Sequence, residues 1–407
     1  MSQELFSLGF IYPSDFLKPD EQPRCEPVEL KLVMEDNGLV HLEKTAPKEV
    51  MWGERYWYSS SISDTMKEQL KDIVYSIIDL VDLKRGDLWI DIAGNSGYML
   101  SQVPDCVNTV SIDPVGGEIK KEAERNCDLV IQDYFSAEVF QKSIYGKQKS
   151  SVITGISFFY DLENHGKFLY DVFEILSDDG LLVIQMSYAP LMLEQLEFSN
   201  LCHEHIFYLS LSNMNLLLGK NGYQIMDVQL NNCNAGSFRL YIMKKSADVT
   251  KFGSQTHRDV CTFRVKSLLA YEETLHLDLA HTWVSFYDRI NELKKQTLEF
   301  IQEEKQKGKT IYGYGASTKF NTVIQYFGLT TELITAIADR STAKHGLRTV
   351  GSNIPIISER QMRLGNPDYL LIGPSHFISE FKEREAALLK SGTKFICIMP
   401  SFQIIGL

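Results

Sequence analysis

Five short apolar runs between residues 87 and 188, with helical segments between them, constrain the fold more than any other feature of the chain. Asp87–Gly94, Val107–Pro114, Asp128–Phe135, Ser151–Phe159 and Gly180–Tyr188 each have the length and composition of a buried strand. Helical patterns fall at residues 98–103 and at His165–Leu176. Strands that alternate with helices wind into a mostly parallel sheet covered on both faces, so this region is α/β. A helix is expected before it, through residues 66–83, with Ser63 or Asp64 as its cap. Two further strands are expected near Tyr223–Leu230 and Ser237–Lys244. Residues 256–307 carry helical periodicity and no glycine, which predicts two helices. A second α/β unit starts at Lys309, with strands at Thr310–Ala316, Leu333–Arg340, Tyr369–Gly373 and Lys394–Pro400 and a helix through Asn321–Phe327.

The 407 residues exceed one hydrophobic core, and no internal repeat shows, so the two wound units read as separate domains. The first 66 residues read as irregular, with prolines at 13, 19, 23, 27 and 47. The exception is a hairpin, Glu29–Met34 and Leu39–Leu42 across Asn37-Gly38, too short to be more than a small appended module.

Forty-one Lys+Arg against 53 Asp+Glu leave a net charge of −12, which argues against a nucleic-acid coat. A phosphorylated small substrate held by a few local cations stays compatible with that balance. No apolar run approaches the roughly 20 residues of a membrane span. The first residues show no basic segment and no small-residue cleavage pattern, so a secretory signal is not expected and a cytoplasmic protein is. The seven cysteines include no Cys-x-x-Cys pair and read as reduced thiols, with neither a disulfide framework nor a thiolate zinc site.

Four constellations carry chemistry. Asp91, Gly94, Asn95 and Gly97 follow the first buried strand, where glycines allow a sharp turn and close approach of a ligand. A tight turn needs glycine without any ligand, so the turn alone is weak. Asp113 ends the next strand, where a carboxylate can accept both ribose hydroxyls of an adenosine, and Asp133, Tyr134 and Phe135 end the third, offering an adenine acceptor and a stacking ring. The spacing Asp-x-x-Gly-x-x-Gly departs from the dinucleotide fingerprint and is closer to an S-adenosylmethionine loop. The second constellation is His203, Glu204, His205 and Tyr208. A His-x-His metal site, a structural cluster, and a general base with an orienting neighbour are all open readings. Tyr56 and Tyr58, followed by three serines, form the third, which equally reads as a helix cap preceded by aromatic packing. The fourth is Gly313–Lys319 with Asp339 at the following strand end; amides, hydroxyls and Lys319 there suit a phosphate, although the spacing is not a P-loop.

Taken together, Tyr56 to Ser60, the Asp91–Gly97 loop, Ile112-Asp113-Pro114, His203–Leu211, Ala235–Arg239, Gly313–Thr322 and Gly346–Val350 resemble the S-adenosylmethionine-dependent sugar C-methyltransferases. That family acts on nucleotide-linked 4-keto-6-deoxy sugars. The resemblance runs from about Tyr56 to the C-terminus. It implies a small N-terminal module over 1–66, a Rossmann-like methyltransferase domain over 67–255, a helical linker over 256–307 and a second Rossmann-like domain over 308–407. It implies S-adenosylmethionine as cofactor, no metal, and a monomer or homodimer with no nucleic-acid or membrane partner. His205 is the implied base, with Glu204 and Tyr58 orienting it or stabilising an enolate. The implied acceptor contacts from the first part of the chain are Tyr56, Tyr188, His203, Tyr208 and Arg239. Those from the last domain are Ser317, Lys319, Asn321 and Arg348, with Ser317, Lys319 and Arg348 on a diphosphate.

The chain departs from the family pattern in three places. Met34–Asn37 stands where a zinc-binding Cys pair is usual, so the N-terminal module is expected to be a metal-free remnant. Cys202 replaces a tyrosine before His203, and Asn234-Ala235 replaces His-Gly. These changes leave open O- or N-methylation of a related nucleotide sugar, or a catalytically inactive sugar-nucleotide-binding protein.

Overall fold

In the computed structural model, residues 2–52 and 55–406 are described. The chain forms two compact units that do not follow chain order. One comprises Trp52–Ala189 and Tyr208–His276; the other comprises Met1–Met51, Pro190–Phe207 and Leu277–Leu407.

The first unit is built on a seven-stranded sheet. Its order is Tyr223–Asn231, Ser237–Lys244, Leu176–Ser187, Ser150–Ile156, Leu88–Ile92, Asn108–Ile112 and Leu129–Ile131. All strands of that row run in one direction except Ser237–Lys244, which is antiparallel to both of its neighbours. The strand Leu88–Ile92 is buried at every position because both of its faces are covered. From it the chain first adds the Asn108 and Leu129 strands on one side, then crosses to the Ser150 strand on the other. That reversal makes a crevice above the carboxyl end of Leu88–Ile92, where open α/β sheets take ligands.

The helix Asp64–Ile78 lays Leu70, Ile73, Val74 and Ile77 on this sheet against Trp89, Val152, Val183 and Tyr241. Ser63 caps it, its hydroxyl accepting from the Met66 amide. The helix Gln255–Glu273 also belongs to this unit, packed on the Tyr223–Asn231 strand. At its end Glu272, 4% exposed, accepts from the Leu211 and Ser212 amides, the Ser212 hydroxyl and the Tyr188 phenol.

The second unit contains a six-stranded sheet, in the order Ile356–Ser358, Ile337–Asp339, Ile311–Tyr314, Tyr369–Ile372, Lys394–Cys397 and Gln403–Ile405. All neighbours are parallel except the last pair. The first residues of the chain belong here and are more ordered than their sequence suggests. A nine-residue strand, Gln3–Ile11, pairs antiparallel with Val28–Met34, which continues through the expected hairpin into Val40–Leu42. Phe6 of that strand stacks on Tyr287 of the long helix Ala280–Gln306, with ring centroids 4.7 Å apart. Phe16-Leu17 pairs with Arg348-Thr349. The two helices expected over 256–307 are both present, and each joins the core of a different unit. No described helix is long and apolar enough to cross a membrane.

Candidate functional site

In the first unit, the turn after Leu88–Ile92 places Ala93, Asn95 and Gly97 at positive φ. A Cβ on Gly94 would come 2.5 Å from the Ser111 hydroxyl, and one on Gly97 2.7 Å from the Cys127 sulfur. Packing alone therefore demands both glycines. What packing does not explain is the pair of buried carboxylates beneath the turn.

Asp91 is 3% exposed; its Oδ1 accepts from Thr154 Oγ1 at 2.8 Å. Burial raises its pKa to about 8, Thr154 opposing and the Asp113 charge adding. Asp113 is 7% exposed; its Oδ2 accepts from the Asn95 amide and its Oδ1 from the Val115 amide, both at 2.8 Å. Burial raises its pKa too, against those two amides. Among the described residues no cation pairs with either acid. A carboxylate offers about four lone-pair sites, so two amides leave Asp113 capacity for two hydroxyls. An uncompensated buried carboxylate at a topological switch point fits a ribose, and the fit to an adenosine-bearing cofactor rests on that.

The Tyr58–Ser60 segment is laced to the same turn. Asn95 Nδ2 donates to the Tyr58 carbonyl, and Asn95 Oδ1 accepts from the amide and hydroxyl of Ser60. The Asn95 side chain is thus a brace for this segment. Tyr56 and Tyr58 lie edge to face at 6.5 Å. Desolvation pushes the Tyr58 phenol well above its ordinary range, so it remains a proton donor. Asp133 lies just past the Leu129–Ile131 strand, accepting from its neighbour's amide, with Tyr134 46% exposed and Phe135 packed edge to face on Phe168.

Two expected acceptor contacts in this unit are committed elsewhere. Tyr188, 1% exposed, donates its hydroxyl to Glu272 at 2.5 Å and lies against Phe238. Arg239, 3% exposed, is held by Gln185, Ser76, Tyr241 and Asp72. Tyr208 is buried beside the start of the helix Leu211–Lys220.

In the second unit, residues 198–207 pack with the last α/β domain. His203, 2% exposed, bonds through Nε2 to the Val28 carbonyl, and burial lowers its pKa to about 4. His205 bonds through Nδ1 to the Asn200 carbonyl at 3.0 Å. A carbonyl only accepts, so Nδ1 carries the hydrogen and Nε2 the lone pair. Burial, with the Lys319 charge adding, lowers the His205 pKa to about 3, while burial raises Glu204 to about 7 against Lys319. The only described cluster of three potential metal ligands is elsewhere, at Asp227, His257 and Cys261, so the His-x-His pair does not converge with a third ligand.

Lys319 donates to Asn200 Oδ1 at 2.6 Å, and Ser317 caps the helix Thr318–Phe327. Asn321, 1% exposed, donates to Ser14 and to the Asp15 carbonyl; Arg348 donates to the Pro19 and Glu21 carbonyls and to Asn353. Both tie down the N-terminal segment. Asp339 repeats the Asp113 pattern, accepting from the Ala316 and Ser341 amides at 2.7 and 2.8 Å. Here, however, buried Lys344 lies 3.7 Å from the carboxylate and donates to the Ala316 carbonyl. Its counterion is already in place. Sequence reasoning missed Lys344, His376 and Glu272, the last because its partners lie 60 or more residues away along the chain.

Residues 64–228 match a family described as a methyltransferase domain, and residues 232–400 match a C-methyltransferase C-terminal domain. The chain is 25% identical over 369 residues to the C-methyltransferase NovU of Streptomyces niveus, spanning 90% of this chain and 85% of that protein. Among solved structures, it is similar to the mitomycin 7-O-methyltransferase MmcR at 14% identity and TM-score 0.35, covering 45% of this chain and 55% of that one. It is also similar to the magnesium protoporphyrin IX methyltransferase of Synechocystis PCC 6803 with bound SAH, at 10% identity and TM-score 0.34, covering 46% and 90%. Likenesses with TM-scores this low carry no weight for function.

Proposed function

We propose that the chain, which matches a methyltransferase domain and a C-methyltransferase C-terminal domain, is an S-adenosylmethionine-dependent C-methyltransferase that methylates a carbon beside the ketone of a nucleotide-linked keto-deoxy sugar through an enolate. The observation that carries the enolate step is the tautomer of His205, whose Nδ1–H is held by the Asn200 carbonyl. Burial keeps the ring neutral, which leaves the lone pair on Nε2 but lowers its basicity, so stabilisation of the imidazolium by a neighbouring carboxylate is part of the proposed step.

S-adenosylmethionine, when bound, supplies a methyl group already activated as a sulfonium. The 93–97 turn, Asp113 on the ribose, and Asp133 with Tyr134 and Phe135 on the base are the residues we assign to holding it. On the acceptor, His205 Nε2 takes the proton from the carbon next to the ketone, and the C–H electron pair becomes the enolate. Tyr58, protonated across the working range, donates to the developing oxyanion. Glu204 stabilises the imidazolium once it ionises near pH 7. The enolate carbon is then the nucleophile in the transfer. Lys319 and Ser317 serve the acceptor's diphosphate.

The test is proton exchange. With S-adenosylhomocysteine in place of the donor, nucleotide-linked keto-deoxy sugars in deuterium oxide are expected to exchange the proton beside the ketone, and labelled donor to put its methyl on that carbon. Oxygen or nitrogen methylation needs no C–H exchange. A methylated product that keeps that proton in full would reject the enolate reading in favour of those alternatives, and a chain that binds sugar nucleotides without turnover would mark an inactive binding protein.

A further inference from the structure

The sheet of the second unit also reverses direction, beside Ile311–Tyr314. The chain adds Ile337–Asp339 and Ile356–Ser358 on one side, then Tyr369–Ile372 on the other. The crevice between the carboxyl ends of Ile311–Tyr314 and Tyr369–Ile372 is flanked by two loops, residues 315–319 and 373–377.

These loops are locked together. The Gly373 amide donates to the Tyr314 carbonyl at 3.0 Å. A Cβ on Gly373 would come 2.7 Å from the Gly315 carbonyl oxygen, and one on Gly315, at φ +87°, 2.8 Å from Pro374 Cδ. Ser375 donates to Glu197 Oε2 at 2.8 Å, pinning the second loop to residues 197–200. Backbone held this closely fixes where His376 stands. Neither nitrogen of its imidazole has a hydrogen-bond partner among the described residues. Its ring lies 4.2 Å from that of Phe377. Lys319 donates to Asn200 Oδ1 at 2.6 Å, so both loops are tied to the one 197–200 turn, the first through Lys319 and the second through Ser375, the residue before His376.

The family resemblance implies Ser317, Lys319 and Arg348 on an acceptor diphosphate, but Arg348 is bound to the N-terminal segment. A diphosphate held by Lys319 and the Ser317 hydroxyl would lack the donor that Arg348 was to supply. We propose that His376 supplies it, its imidazole N–H binding the diphosphate of the sugar nucleotide beside Lys319. The proposal rests on the acceptor class given under Proposed function. Burial and the Lys319 charge lower the His376 pKa to about 3, so it is a neutral donor that Lys319 does not repel. Glu204, His205 and Lys319 are the titratable groups in its neighbourhood, and an arriving diphosphate favours proton uptake by the ring.

Calorimetry on the full chain tests this, with uridine and thymidine diphosphates, the matching nucleosides, and inorganic pyrophosphate as probes. His376→Ala is expected to weaken diphosphate binding tenfold or more while nucleoside and S-adenosylhomocysteine affinities stay within about twofold. His376→Gln, which retains an N–H donor, is expected to recover most of the loss. Unchanged diphosphate affinity in His376→Ala overturns the assignment, as does an equal loss for nucleoside and diphosphate. If the wild-type chain binds no diphosphate and no pyrophosphate, the acceptor class itself falls, a failure distinct from a variant that matches a binding-competent wild type.

Discussion

Asp113 and Asp339 make a matched pair of perturbations. Each carboxylate accepts one amide from the turn after the first strand of its α/β sheet and one amide two residues beyond itself. Truncation to alanine removes two charge-assisted hydrogen bonds in either case, each worth roughly 1.5–3 kcal/mol. The remaining terms differ in sign. Asp113→Ala also removes a buried charge that no cation compensates, so part of the loss is returned. Asp339→Ala leaves Lys344, 8% exposed, without its counterion, and breaking such a pair costs about 3–5 kcal/mol. Asp339→Ala is therefore expected to be the more destabilising variant in urea denaturation. For cofactor binding the order inverts. Losing two ribose contacts to a carboxylate removes about 3 kcal/mol, close to 100-fold in affinity for S-adenosylmethionine or S-adenosylhomocysteine by calorimetry. Asp339→Ala is expected to bind both within about twofold of wild type. An Asp113→Ala chain that still binds normally, or an equal loss from both variants, would refute the assignment of the cofactor to the first unit.

Asp91, raised to about 8 in the folded chain, holds a proton that the unfolded chain releases near pH 4, so its contribution to stability is lost as pH rises from about 4 to 8. Asp91→Asn, which keeps an acceptor for Thr154, is expected to flatten that part of the stability–pH curve; an unchanged slope would count against a buried, uncompensated Asp91. Glu272→Ala leaves four donors without an acceptor and is expected to cost about 3–5 kcal/mol, against about 1 kcal/mol for Tyr188→Phe, and Tyr188→Phe is expected to leave KM for the acceptor unchanged. A raised KM would restore Tyr188 as an acceptor contact. With Glu204 titrating near 7, kcat/KM is expected to rise through that pH as the carboxylate ionises, and Glu204→Gln to remove the rise; His205→Asn is expected to abolish proton exchange and turnover with donor affinity within a factor of a few. Purified chain is expected to carry no stoichiometric zinc, since Arg264 already donates to both oxygens of Asp227 in the Asp227–His257–Cys261 cluster; one tightly held zinc per chain would show that Arg264 yields to metal.

The parallel strands were legible because burial on both faces writes itself into the sequence as short continuous apolar runs, and the strand-end acids because their position follows from the runs. The strand Gln3–Ile11 was not, since its register shifts between Glu4 and Phe6 and between Ser7 and Phe10 break the alternation that marks a half-buried strand. The helices at 255–273 and 280–306 were legible as helices, but their allegiance to different cores was not, because periodicity gives a helix its face and not its partner. Among site residues the same limit applies. Asn95, Tyr188, Arg239, Asn321 and Arg348 have ligand-like chemistry, yet each is bonded to protein groups far along the chain, as Arg348 is to Pro19 and Glu21. His376 has no motif of its own in Pro374–Phe377. Only the packing of two glycine-hinged loops brings residues 373–377 against residues 315–319.

One lysine separates two turns that a glycine-and-acid pattern cannot tell apart. In both units an acid at the end of the second strand organises the turn after the first by accepting the same two kinds of amide. That role is structural and would be served equally by a neutralised acid, which is what Lys344 makes of Asp339. On the proposed assignment, a carboxylate for ribose hydroxyls needs spare lone pairs and no counterion, and burial of Asp113 without one raises its pKa at a cost in folding stability. Under the proposed assignment, uncompensated burial is the feature that sets Asp113 apart from Asp339. It also explains why, in the second unit, the groups with ligand chemistry lie on the other flank of the switch point, where Lys319 and His376 stand and Asp339 does not.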